Sequence, residues 1–192
     1  MTDKSHVMVC FLPASSALLE KHWLNSMAAK LAPSVTGSRK SPMVHSELFF
    51  PHTGRPFDTN LVSGKSCGIH YGGKVFLADK VFSKRDWLFR RIDCTPEQQK
   101  EMQKFCESQV DGGFNRIGYF APCNPSSWFR STEPKQKWYC SELTAHALAA
   151  GGVIPVELAR QGSVHPEKLY QCLEDLSYVD CGRNLTNTVL IV

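Results

Sequence analysis

The feature that most constrains this chain is a succession of strand-type segments with no helical stretch between them. Residues 43–50 (MVHSELFF), 66–71, 74–82 and 87–92 (WLFRRI) are rich in apolar, β-branched and aromatic residues, with Pro, Gly or charged residues between them. The connection PHTGRPFDTN after the first is turn-rich, and Gly72-Gly73 between the second and third is the strongest hairpin signal in the chain. A parallel pair needs a crossover of a dozen or more residues, usually a helix, so strands in such succession pair antiparallel.

Helices frame this block. Residues 7–12 (VMVCFL) predict a buried strand stopped by Pro13, and Leu18, Leu19, Trp23, Met27 and Leu31 predict a helix over 15–31. A loop, 33–42, follows it. Thr95, Pro96 and Gln98 form a capping-box signature that opens a helix. Met102, Phe105, Cys106 and Val110 would be its buried side, and Gly112-Gly113 its end. Residues 141–150 and 166–175 predict two more helices, and 187–192 a last strand. Residues 114–137 are irregular, and loops of such length often carry function. The expected fold is α+β: an antiparallel sheet of about five or six strands with helices packed on it.

A length of 192 residues fits one domain spanning 1–192. With 42% hydrophobic and 21% charged residues, a disordered chain, a coiled coil and a collagen-like rod are excluded. The formal charge of +4 is mild. Lys84, Arg85, Arg90 and Arg91, around Trp87 and Phe89, read as a solvated strand edge, and no specific nucleic-acid partner is expected. No apolar stretch reaches the ~20 residues of a membrane span. The N-terminal apolar run is too short for a signal sequence, so a cytoplasmic location is expected, with peripheral membrane contact left open. The eight cysteines are then expected to be reduced thiols. They form no Cys-x-x-Cys pair and no zinc-finger spacing, so neither a metal nor a cofactor is expected.

One cysteine differs by position. Cys140 directly precedes SELTAHALAA, at the N-terminus of a helix. Unpaired amides and the helix dipole favour a thiolate there, and the same amides can bind an oxyanion. A nucleophilic thiol needs a base. His146 lies six residues on in the same helix and projects from another side. His52 and His165 read as loop residues, and His6 and His22 have no supporting context. His45 and Glu47, two apart on a strand, share a face, and a carboxylate beside a histidine raises its basicity and fixes its tautomer. Val44, Leu48 and Phe50 would form the greasy face. Side chains two apart on a strand stand about 6–7 Å apart, so His70 on a neighbouring strand competes with Glu47 for the orienting role.

His45-Ser46-Glu47 followed far downstream by Cys140-Ser141-Glu142-Leu143 resembles the circularly permuted branch of the NlpC-like, papain-fold superfamily. That branch has bacterial and poxviral members and, more distantly, lecithin:retinol acyltransferase. FNRIGYF at 114–120 and VHPEKLY at 164–170 support the resemblance, which covers roughly residues 5–180. His precedes Cys, as the permuted order requires. The chain lacks an asparagine before the cysteine, which argues against retinoid acyl transfer.

The resemblance implies a permuted papain-like domain and a thiol hydrolase or acyltransferase of the peptidase, amidase or lipid-directed kind. Cys140 would be the nucleophile, His45 the base, and Glu47 or His70 the orienter. The substrate would be a peptide, another amide, or a lipid ester or thioester, cleaved through an acyl-thioester. The competing reading is a non-catalytic papain-like scaffold that binds lipid or protein. The cleft is expected to be lined by residues 52–65 and 114–137.

Overall fold

A computed structural model describes residues 5–21, 41–52, 60–115, 137–160 and 164–175. Five strands form one antiparallel sheet: β1 (Ser5–Pro13), β2 (Met43–Pro51), β3 (Leu61–Ile69), β4 (Val75–Ser83) and β5 (Leu88–Cys94). Their order across the sheet is β4-β3-β2-β1-β5. The middle block pairs as its spacing predicts, with β3 and β4 joined by a hairpin in which Gly72 takes φ 72° and the Gly73 amide bonds the His70 carbonyl at 2.9 Å. A two-stranded parallel pair, β6 (Gly113–Phe114) with β7 (Lys137–Trp138), lies outside this sheet.

Four helices among the described residues pack on the sheet: α1 (Pro96–Gln109), α2 (Cys140–Ala150), α3 (Val156–Arg160) and α4 (Pro166–Asp175). The capping box at Thr95 is formed, the hydroxyl accepting from the Gln98 amide and the Gln98 side chain accepting from the Thr95 amide. The helix stops at Gln109, before the glycines expected to end it, because Asp111 takes the left-handed conformation at φ 68°. Val110 therefore falls past the buried stripe and is exposed, whereas Met102 and Cys106 are buried. The expected helix over 15–31 begins instead as a 3-10 turn at Ala17–Lys21, and its remainder lies outside the described residues. Most of the 33–42 loop and the strand expected over 187–192 also fall outside them.

Each sheet face carries a buried cluster. Val7, Val9, Phe11, Leu48, Ile69 and Ile92 face the helices, where they meet Met102, Leu143, Leu148 and Leu169. Met8, Cys10, Leu12, Phe49, Phe82 and Phe89 form the second cluster, with Leu19 of the 3-10 turn against it. Phe82 is its hub, edge-on to Phe49, Trp87 and Phe89 at centroid distances of 5.2, 4.8 and 6.2 Å. The expected solvated edge around Arg90 is corrected by the structure. Arg90, Trp87 and Phe89 are buried, and the Arg90 guanidinium lies 4.1 Å from the Tyr170 ring centre and 3.3 Å from Glu174. β5 is an edge strand by pairing, but α4 covers Arg90.

A single irregularity sets how the chain enters β2 just before His45. Leu12 pairs with His45, but Pro13 pairs with Met43, so β2 has one residue more than β1 and Val44 is the extra one. Such a bulge places consecutive side chains on one side and re-aims the strand beyond it. Met43 accordingly joins the helix-side cluster, while Val44 joins the opposite cluster. Val44 is thus not on the face of Leu48 and Phe50, contrary to simple alternation.

The capping box offers a clean check on local energetics. Thr95→Ala should cost about 1 kcal/mol in urea unfolding, with the reactivity of Cys140 unchanged.

Candidate active site

Cys140 is the first residue of α2, as expected, with Tyr139 at the N-cap in an extended conformation. Its thiol is buried and hydrogen-bonded to the His45 ring, and the backbone amides of Ser46 and Ser141 point at the sulfur. α2 lies over the helix-side face of the sheet, yet it reaches His45. Pairing between β2 and β3 covers only Leu48–Pro51, so the sheet is open beside His45, and the bulge turns the chain immediately before it.

Glu47 reaches His45 directly. Its Oε1 lies 3.1 Å from His45 Nε2, although two-residue spacing alone would leave a gap. The long side chain curls back along the strand. Because Nε2 is engaged by the carboxylate, Nδ1 is the ring nitrogen that can serve the thiol. These contacts set the protonation pattern. Burial opposes a charge on His45, but the charge and hydrogen bond of Cys140, and then those of Glu47, raise its pKa to about 10. Burial pushes the Cys140 thiol up, but His45 and the two amides bring it below its ordinary value. Both shifts run in the direction that favours a thiolate facing an imidazolium.

Glu47 is fully buried, and its cost is met by three donors. Lys80 Nζ sits 2.6 Å from Oε1 and 2.8 Å from Oε2, and Ser66 Oγ donates to Oε2 at 2.7 Å. Burial would raise the carboxyl, but His45 and Lys80 hold it down at about 2. Lys80 is itself fixed over the rings of Phe76, Phe82 and Trp87, at 5.0, 5.1 and 5.8 Å from their centres. Gly68 leaves the space that the carboxylate occupies: a Cβ there would lie 2.9 Å from Glu47 Cγ.

His70 lies just past the end of β3 and is exposed. Its ring stacks on His45 at 5.6 Å with 21° between planes, and on Phe76 at 5.0 Å. It meets His45 face to face, whereas Glu47 meets it through the ring nitrogen, so the carboxylate holds the orienting position. His45, Glu47 and His70 are also the group among the described residues whose ligand atoms could gather round a metal, within 4.8 Å of one another. Two observations weigh against that use. The stacked rings send their nitrogen lone pairs into parallel planes, and the Lys80 ammonium already occupies the carboxylate.

His146 rests against Trp138 at 5.0 Å, a packing role. His52 lies at the surface, 3.6 Å from Asp79, and His22 is outside the described residues. Of the segments expected to line the cleft, 53–59 and 116–136 fall outside them too. Residues 61–65 are corrected: they belong to β3, where Gly64 and Lys65 pair with Pro51 and Phe50, at the end of β2 remote from His45.

Sequence reasoning missed Lys80, Ser66 and Gly68. The signal was faint: Lys80 looks like any lysine on an exposed strand until the pairings Gly64↔Lys80 and Ser66↔Ala78 place it on the face of Glu47. No protein-family model, curated protein or solved structure matches the chain.

The buried carboxylate leads to two expected outcomes. Lys80→Met, which keeps the aliphatic stem but removes a charge partner of Glu47, should lower stability by about 1–3 kcal/mol and slow alkylation of Cys140. Because its folded pKa is depressed, Glu47 adds stability above the ordinary carboxylate range, lost as pH falls towards about 2. Acid titration of Glu47→Gln, monitored by circular dichroism, should lack that part of the pH dependence.

Proposed function

We propose that this protein is a cysteine-dependent hydrolase or acyltransferase acting on an amide, ester or thioester carbonyl. The observation that carries the reading is the hydrogen bond between the helix-opening Cys140 thiol and His45, with Glu47 3.1 Å behind the ring. A nucleophile, a base and an orienting group in line are the parts that acyl transfer requires. The permuted papain-like resemblance supports the same assignment, with the base on an early strand and the nucleophile on a later helix.

In the first half-reaction the Cys140 thiolate attacks the carbonyl carbon, and the carbonyl oxygen takes the negative charge. The amide at the start of α2 is placed to stabilise that oxygen. The tetrahedral adduct collapses, the bond to the leaving nitrogen, oxygen or sulfur breaks, and His45 gives up its proton to the leaving group. An acyl-thioester on Cys140 remains. In the second half-reaction neutral His45 takes a proton from water or from an acceptor, whose oxygen or nitrogen attacks the thioester. Collapse releases the acyl product and restores the thiolate beside an imidazolium. Glu47, locked by Lys80 and Ser66, keeps Nε2 engaged throughout, so Nδ1 does the proton transfer.

The substrate classes this chemistry admits are peptides, other amides and lipid esters. None of the described cysteines forms a disulfide, Cys140 included. Free thiols persist most readily in a reducing compartment, and the cytoplasm is part of this reading.

The test is pH-resolved alkylation of Cys140 by iodoacetamide, read by mass spectrometry. An ordinary thiol loses about tenfold in rate per pH unit below its pKa of about 8.5. Cys140 should instead hold a plateau from about pH 8 into the mildly acidic range, because its folded pKa is lowered. The imidazolium half of the pair is lost only as pH rises through about 10. His45→Ala should abolish the plateau, and Cys140→Ala should remove labelling by acyl-directed thiol probes. An inert Cys140 in the wild type would leave the binding-scaffold reading in its place.

A further inference from the structure

One short stretch of chain is tied to both halves of the site. The Val164 carbonyl accepts a hydrogen bond from Ser141 Oγ, on the residue after Cys140. Three residues on, Glu167 Oε2 accepts from the backbone amide of Met43 at 2.8 Å, two residues before His45. Both ties are buried: Ser141 is 0% and Glu167 2% exposed. The second carboxylate oxygen of Glu167 accepts from Gln171 Nε2 at 2.9 Å, one turn along α4.

Position explains why a carboxylate is tolerated there. Glu167 lies in the first turn of α4, where the helix dipole favours negative charge. Its partner is equally specific. The Met43 amide is on the residue preceding the bulged Val44, where the ladder to β1 is disrupted. A bulge keeps its shape only if the chain is held on both sides of it. On one side the Leu12–His45 pairing holds it; on the other the Pro13–Met43 pairing and the Ala14 amide on the Pro42 carbonyl at 2.8 Å hold it from β1, and Glu167 ties it to the helix layer.

We propose that Glu167 is a positioning residue, which with the Val164 carbonyl braces the start of α2 against the bulge in β2 and so sets the approach of Cys140 to His45. The proposal rests on the reading of Cys140 and His45 as the reacting pair. It assigns to the segment 164–167 a role that neither the catalytic residues nor the partners of Glu47 fulfil. Gln at 167 keeps an acceptor for the Met43 amide, and Ala does not, so the two substitutions separate acceptor from mere volume.

The experiment compares wild type, E167A, E167Q and S141A in the full chain, by iodoacetamide labelling of Cys140 against pH, with thermal unfolding measured in parallel. In E167A the acid limb should move up by about one pH unit or more, cutting the labelling rate near pH 6 by about tenfold. E167Q should stay within about threefold of wild type, and S141A should shift in the same direction as E167A. A merely structural carboxylate would lower the unfolding temperature of E167A and leave its pH profile unmoved, which overturns the brace. E167Q as impaired as E167A also overturns it. If E167A does not fold, S141A decides, since it cuts the other tie: a wild-type profile there overturns the proposal. A wild-type Cys140 that labels like an ordinary thiol overturns the reacting pair and the brace together, whereas a wild-type plateau retained in E167A overturns the brace alone.

Discussion

A carboxylate with no access to water is the constraint around which this structure is arranged. Glu47 is fully buried on a central strand, and an ionised group in that position is tolerated only with close, well-aligned partners. Lys80 from β4, Ser66 from β3 and His45 from its own strand supply them. Each partner must arrive from a different register position, so the pairing of three strands is bound to the ionisation of one side chain. The aromatic rings under Lys80 belong to the same arrangement. They flank the half-buried ammonium and hold it against the fully buried carboxylate.

Charge then propagates outward from Glu47 to His45 and Cys140. The carboxylate favours a charged ring on His45, and a charged ring lowers the Cys140 thiol from its ordinary value. The helix start contributes amides but little side-chain capping: the Tyr139 side chain makes no capping bond, while its carbonyl accepts from the Leu143 amide at 3.0 Å. α2 is therefore held by what it packs on and by Ser141 and Thr144. The Thr144 hydroxyl donates to the Cys140 carbonyl at 3.0 Å, within the first turn of α2.

Much of this was legible in the residues themselves, for reasons that can be named. The strands around Gly72-Gly73, the capping box at Thr95 and the helix 166–175 are local signals, written within a few residues of where they act. Cys140 was legible because a helix start is a local event, and the pairing of His45 with Glu47 because alternation puts both on one face. What local reasoning could not supply was register. The reach of Glu47, the role of Lys80 and the burial of Arg90 depend on which residues of distant strands and helices meet. α3 escaped notice because five residues are too few to show a period. Val44 misled for a related reason, since alternation assumes that no residue has been added.

The bulge at Val44 means that this site depends on counting as well as on chemistry. Removing Val44 would leave Cys140, His45, Glu47 and Lys80 all present and unaltered in identity. It would also restore unbroken alternation along β2, with Met43 still on the helix side, but without the turn that the extra residue puts into the chain before His45. The chain's entry into His45 would change accordingly. Point substitutions at the reactive residues sample one kind of loss. A deletion of one codon beside them samples another, in which every functional group survives and their mutual phase does not. A change of length between Pro42 and His45 would thus keep every one of these side chains and lose the alignment between them.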